Sequence, residues 1–385
     1  MARAREGILS RWFGHIDWVL WGAVTLITCA GLVTMYAFGP ENAFFKKQII
    51  LVGIAQAMFF VASFIDYRFL RQTLPVALAF LVTVGLLLLV FVFGEVTKGA
   101  QSRFEFGSFA IQPSDPAKLI LIVVLAKYFA RRHVEIADIK HILVSGAYAF
   151  ILFALVFLQP DFGSAIILAS IWFGLVLVAG ISRKHLAMVL ISAVVAGGGL
   201  WLFVLQPYQK ERVMTFLHPL ADIQGAGYNA YQSTIAVGSG QLLGKGIGYG
   251  TQSKLQFLPE YETDFIFAAF AEEWGFVGVI LLFLLYAVVF WRVISASMRG
   301  ATNFETLFAA GVGLLLLAHF IVHIGMNIGV LPVTGTTVPF MSYGGSHLVT
   351  EFLALGMLMG MRRYERSVHK YAERKEFEGV GSVYL

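Results

Sequence analysis

LPEYETDFIFAAFAEEWGFVGVILLFLLYAVVFW, residues 258–291, begins as an acidic loop and turns into a long apolar run. About 20 predominantly apolar residues are enough to cross a bilayer as a helix. The run is therefore read as a span, about Phe265 to Trp291. Asp264 stands at its entrance, behind Glu260 and Glu262, while Glu272 and Glu273 lie inside it. Carboxylates at or within hydrocarbon are costly, and such residues mark functional sites by default.

The rest of the chain repeats the apolar pattern. Hydrophobic residues make up 58% of 385 and charged residues 13%, a composition that excludes an ordinary soluble domain. The expectation is an all-α polytopic membrane protein of about ten transmembrane helices. Nine further spans are drawn at Ile16–Tyr36, Ile49–Ile65, Leu74–Phe93, Pro116–Phe129, Ile142–Leu158, Phe162–Gly180, His185–Leu205, Phe304–Leu331 and His347–Met361. Together they form one membrane domain, residues 1–362. Residues 206–263 make its one large extracytoplasmic loop and 363–385 a charged tail. With the N-terminus inside, 19 of the 28 lysines and arginines face the cytoplasm, so both termini are expected there. The basic N-terminus runs into a span of full length and is read as a retained anchor, and the net charge of +5 as membrane sidedness rather than nucleic-acid binding. Cys29 is the only cysteine, so no disulfide forms within the chain.

Several stretches carry chemistry-bearing residues. A partly desolvated carboxylate at position 264 is a better base near neutral pH than a solvated one. The same residue also suits the positive end of a helix, with Thr263 as cap. Glu272 lies roughly 12 Å deeper along the helix, too far for a carboxylate pair of the kind that flanks a glycosidic bond. Arg103 and Lys118, in GAQSRFEFGSFAIQPSDPAKL (99–119), are cations at the outer edge that can hold phosphate oxygens, or can snorkel or pair with Asp115. Residues 232–250 are Gly-rich and carry Lys245, but lack the phosphate-loop pattern, which argues against ATP use. His319 and His323 share one helix face without a third metal ligand and are expected to be buried and hydrogen-bonded. NIGVLPVTGTTVPFMSYGGS (327–346) interrupts a span, and irregular backbone at membrane depth is tolerated where it is buried or lines a cavity.

Six segments, in order, resemble the SEDS family (shape, elongation, division and sporulation), with the form NIGVLPVTG favouring its elongation branch. They are GAQSRF…QPSDPAKL, LQPDFGSA (158–165), ERVMTFLHP…GAGYNAYQS, VGSGQLLGKG, LPEYETDFIFAAFAEEWG and NIGVLPVTGTTVPFMSYGGS. The resemblance implies a peptidoglycan glycosyltransferase of the bacterial cytoplasmic membrane. It would polymerise lipid II at the outer face during cell elongation, with Asp264 as the essential acid of the TDF motif. By the same resemblance Arg103, Lys118, Arg212, Lys245, Glu272, Ser342, Gly344 and Gly345 are carried over as substrate-binding residues. A class B penicillin-binding protein, other elongation-complex membrane proteins and the growing glycan strand are the implied partners, and Mg²⁺ or Mn²⁺ a possible cofactor. Phe104, Asp115 and His347 depart from the family pattern around the expected cavity, and Glu351 adds an acid to the last span. A lipid II flippase and a non-catalytic scaffold for the crosslinking partner are the rival expectations.

Overall fold

The computed structural model describes residues 14–37, 43–97, 100–106, 109–131, 138–218, 227–255 and 257–380. Ten long helices account for the ten expected spans. They are α1 (Trp18–Ala37), α2 (Ala43–Phe64), α3 (Thr73–Phe93), α4 (Ser114–Ala130), α5 (Ile139–Leu158), α6 (Phe162–Ala179), α7 (Arg183–Gly199), α11 (Ile266–Met298), α12 (Asn303–Asn327) and α13 (Gly345–Val380). Among the described residues eight of these are long and apolar enough to cross a membrane on those criteria alone. The other two are α4 and α13. Almost all of α4 is buried inside the bundle, including Asp115, Lys118 and Lys127, so protein rather than lipid surrounds its polar groups. The membrane-facing turns of α13 likewise carry His347 and Glu351 inward.

α12 is the central post, packed against α11, α6 and α4, while α13 lies along α2 and α11 along α1. Gly356 and Gly360, one turn apart on α13, allow the α2 contact: a β-carbon at Gly356 would meet the Phe59 carbonyl at 2.5 Å. α7 differs from the rest. None of its residues is buried, and its last turn widens into a π-helical stretch, Leu200–Val204. Between it and α5 and α6 runs an apolar groove of about 900 Å³.

Several points go beyond the expectations. The segment between the third and fourth spans folds into a three-stranded antiparallel sheet, β1 (Glu95–Thr97), β2 (Ala100–Phe106) and β3 (Phe109–Ile111), with Glu95 opposite Arg103 and Phe104 opposite Ile111. The long loop of 206–263 carries three helices, α8 (Pro207–Leu217), α9 (Tyr228–Ser239) and the single-turn α10 (Thr251–Lys254). The span expected to reach Leu331 ends instead at Asn327, and the tail continues α13 as helix to Val380.

At the end of the bundle away from Asp264, Asp17 gathers three elements. Its carboxylate accepts from Arg292 of α11, through Nε at 2.8 Å and through Nη2, and from Arg362 of α13 at 3.1 Å. Burial pushes the Asp17 carboxyl upward, but the Arg292 hydrogen bond, the Leu20 amide and the two guanidinium charges outweigh it and hold the group below its ordinary range. A depressed folded value means stabilisation that is full above the unfolded carboxyl value of about 3.9 and lost as pH falls below it. Asp17→Asn should therefore lower the melting temperature in detergent at pH 7. The gap from wild type should close as the pH is taken below 4.

Candidate active site

The acidic loop enters α11 through a turn that three other segments hold. Phe265 donates its amide to the Glu260 carbonyl at 3.1 Å, and Glu260 itself is left-handed, with φ of 54°. A non-glycine residue in that region costs about 1–3 kcal/mol and persists only where its surroundings hold it. The holding groups are explicit. Asn327, fully buried at the end of α12, donates Nδ2 to the Asp264 carbonyl at 3.0 Å and to the His323 carbonyl at 2.8 Å. Its Oδ1 accepts the amide of Ala268, in the first turn of α11, at 3.2 Å. That is the work of an N-cap, supplied from another helix. Thr263, the cap expected from sequence, turns back to Glu260 instead. Ser233 of α9 donates to the Asn327 carbonyl at 2.9 Å, tying this helix of the long loop to the same point.

The irregular segment after α12 closes the other side. Ser342 Oγ donates to the Thr263 carbonyl at 2.8 Å and accepts the Val338 amide at 2.9 Å, and Tyr343 donates its amide to the Glu262 carbonyl at 2.9 Å. Gly335 (φ 70°) faces Asp264 so closely that a β-carbon there would touch Oδ2, at 3.4 Å. Gln48 of α2 reaches across to the Ser342 carbonyl and the Gly344 amide, and Gly345 begins α13 against Leu51. Asp264, Ser342, Gly344 and Gly345 are thus brought together. His319 and His323 are buried as expected, their Nδ1 atoms on the carbonyls of Thr337 and Thr336 at 3.2 and 2.7 Å.

Arg103 is presented by β2, near enough to the Tyr343 phenol for its charge to act there. Burial raises the Tyr343 phenol, while Arg103 draws it down and Glu262 pushes it up. The Arg103 Nε is buried and has no hydrogen-bond partner among the described residues. The Tyr261 hydroxyl is raised by burial and by its hydrogen bond to Glu262. This rim combines an acid, a cation and polar loops at one end of the bundle.

Two other predicted binding residues are held by the protein itself. Lys118 lies 3.0 Å from Asp115, with 3% of its side chain exposed. Lys245 lies 2.6 Å from Glu272, whose carboxylate also accepts the amides of Thr251 and Gln252. This pair joins the Gly-rich loop to α11 where the helix breaks, at Gly275 (φ 64°, ψ −168°). Gly244 packs into the break, its amide 2.1 Å from where a β-carbon of Gly275 would stand. Gln241, Leu242, Lys245 and Gly246 exchange backbone hydrogen bonds with residues 272–277. Close approach of the loop to α11 thus accounts for Gly240, Gly244 and Gly275. Arg212 belongs to α8, and its side chain lies outside the described residues. Among the described residues no group of three or more His, Cys, Asp or Glu is placed to hold a metal ion.

A family model for cell cycle proteins of the FtsW, RodA and SpoVE type matches residues 10–367. The peptidoglycan glycosyltransferase MrdB of Escherichia coli K12 is 35% identical over 349 residues, covering 90% of this chain and 93% of its own. Among solved structures, a chain from a peptidoglycan synthase complex described as coordinating polymerization and crosslinking superposes with a TM-score of 0.77 at 29% identity, covering 90% and 97%. The rod shape determining protein RodA of Thermus thermophilus does so with a TM-score of 0.68 at 27% identity, covering 90% and 96%.

The Lys245–Glu272 pair yields a stability test. Removing the ammonium by Lys245→Met leaves a fully buried carboxylate with only neutral donors, a cost of about 1–3 kcal/mol. The melting temperature in detergent should fall, and Lys245→Met/Glu272→Gln should recover most of the loss.

Proposed function

The chain belongs to the SEDS family, the multi-pass membrane proteins of the FtsW, RodA and SpoVE group, and on that footing we propose that it is a peptidoglycan glycosyltransferase with Asp264 as its general base. The observation that carries the assignment is the pinned junction. The Asp264 backbone is fixed by Asn327, and its carboxylate faces Gly335 at the mouth of a polar rim. A base must be held within hydrogen-bond reach of the proton it takes, and rigid supports serve that need.

In this reading the 4-hydroxyl of an acceptor GlcNAc attacks the anomeric carbon of a disaccharide linked to a polyprenyl diphosphate. The new glycosidic C–O bond forms as the bond to the diphosphate oxygen breaks. Asp264 takes the hydroxyl proton, and the diphosphate leaves with the bonding pair. One carboxylate and one displacement invert an α-linked donor to a β-1,4 glycan. Arg103 is the cation placed to offset charge on the departing diphosphate, since a guanidinium pairs with phosphate oxygens bidentately. Lys118 and Lys245, paired with Asp115 and Glu272, contribute by holding walls of the site. The groove beside α7 is apolar and long enough in volume to receive a prenyl chain. A carboxylate at the outer boundary rather than the midplane favours an enzyme over a flippase. The orientation that goes with it puts both termini in the cytoplasm and the rim outside. There a class B penicillin-binding protein would crosslink the product during elongation.

Two outcomes test the assignment, with purified protein, labelled lipid II, Mg²⁺ and a penicillin-binding protein whose transpeptidase is blocked. Asp264→Asn should retain its melting temperature and lose polymerisation at least ~100-fold; near-normal polymer from that variant would remove Asp264 from the role. Arg103→Gln should cost roughly tenfold or more in kcat/KM through loss of a charge-assisted contact. An unchanged kcat/KM would place the diphosphate elsewhere.

A further inference from the structure

Four ionisable side chains that the proposed chemistry does not use form one buried chain behind the irregular segment. Lys118 Nζ is 3.0 Å from Asp115 Oδ1, and His347 Nδ1 is 3.8 Å from the same oxygen. His347 Nε2 is 2.9 Å from Glu351 Oε1, close enough for ion pairing though off the line of a good hydrogen bond. The second Glu351 oxygen accepts the amide of Phe340 at 2.8 Å. All four side chains are at least nine-tenths buried. Two carboxylates face one ammonium and one imidazole, so the cluster is charge-balanced when both nitrogens of His347 carry protons, each turned to an acid. Any single neutralisation leaves a net buried charge, which is expensive in a low-dielectric interior.

The last member of the chain touches strained backbone. Phe340 is left-handed, with φ of 63°, in the segment that also places Gly335 against Asp264 and Ser342 on the Thr263 carbonyl. Tyr286 of α11 holds the neighbouring Pro339 carbonyl at 2.6 Å, and the His319 ring lies 4.7 Å from that of His347. We propose that His347 and Glu351 are positioning residues: an imidazolium bridging Asp115 on α4 to Glu351 on α13 fixes the carboxylate that clamps the Phe340 amide, and so holds residues 335–342 in register with Asp264. Asp115, His347 and Glu351 are three of the positions at which this chain departs from the family pattern, and here they form one chain of contacts.

The inference rests on the reading of Asp264 as the base, so the test needs one readout independent of polymer. His347→Gln, Glu351→Gln and the double variant are compared with wild type by hydrogen–deuterium exchange over residues 336–342 and by steady-state polymerisation. Each single variant should raise exchange in that segment and lower kcat at least ~10-fold with KM within about threefold, a coupling typical of a shared buried network. The double variant replaces the ion pair by two amides and leaves Asp115 and Lys118 balanced. It should recover both readouts to within about threefold of wild type. Wild-type exchange in both single variants, or a double variant no better than the worse single one, overturns the proposal. The exchange measurement decides it even if no variant, wild type included, makes polymer.

Discussion

One buried amide, the side chain of Asn327, holds the place where loop becomes helix. Its two hydrogens go to the Asp264 and His323 carbonyls and its oxygen takes the Ala268 amide. A helix that starts inside a protein near a membrane boundary has orphan donors with no water to take them. Asn327 satisfies one of them and fixes the direction in which Asp264 leaves the turn. The neighbouring supports, Ser342 on the Thr263 carbonyl and Tyr343 on the Glu262 carbonyl, work on the same turn from the other side. The position of the acid is thus set by the backbone.

Three charge pairs recur inside the bundle: Lys118 with Asp115, Glu272 with Lys245, Glu351 with His347. Lys245–Glu272 fastens the Gly-rich loop to α11, whereas Lys118–Asp115 and His347–Glu351 each lie within one helix and are joined across α4 and α13 by His347 and Asp115. A pair of this kind adds little net stability over an apolar substitute, but losing one member is costly. Such pairs therefore specify arrangement more than they supply energy. Arg103 stands apart from this pattern on β2, beside Tyr343.

Much of this was legible in the sequence. Long apolar runs located the spans, the acidic entrance to 258–291 singled out Asp264, and the Pro- and Gly-broken stretch 327–346 announced irregular backbone at depth. Asn327, drawn inside the span Phe304–Leu331, was visible, but its role was not, because its partner carbonyl is 63 residues away. The small sheet was missed because its strands run three to seven residues between short turns, too brief for a periodic signal. Of the two readings open for Lys118, phosphate ligand or partner of Asp115, the fold shows the pairing; the partner of Lys245, Glu272, stands 27 residues on and was not legible in the sequence. Asp115, His347 and Glu351 appeared as unrelated departures until the fold placed α4 beside α13.

α7 shows the opposite regime. Since none of its side chains is buried, close packing constrains them less than those of the central helix, although one side of α7 faces α5 and α6 across the apolar groove. Apolar exchanges on the exposed side of α7, away from the groove, are free to drift, whereas those on the buried face of α12 are held by packing. Divergence among relatives should thus be read differently face by face: on the exposed side of α7 it records time, and on the buried face of α12 it records constraint.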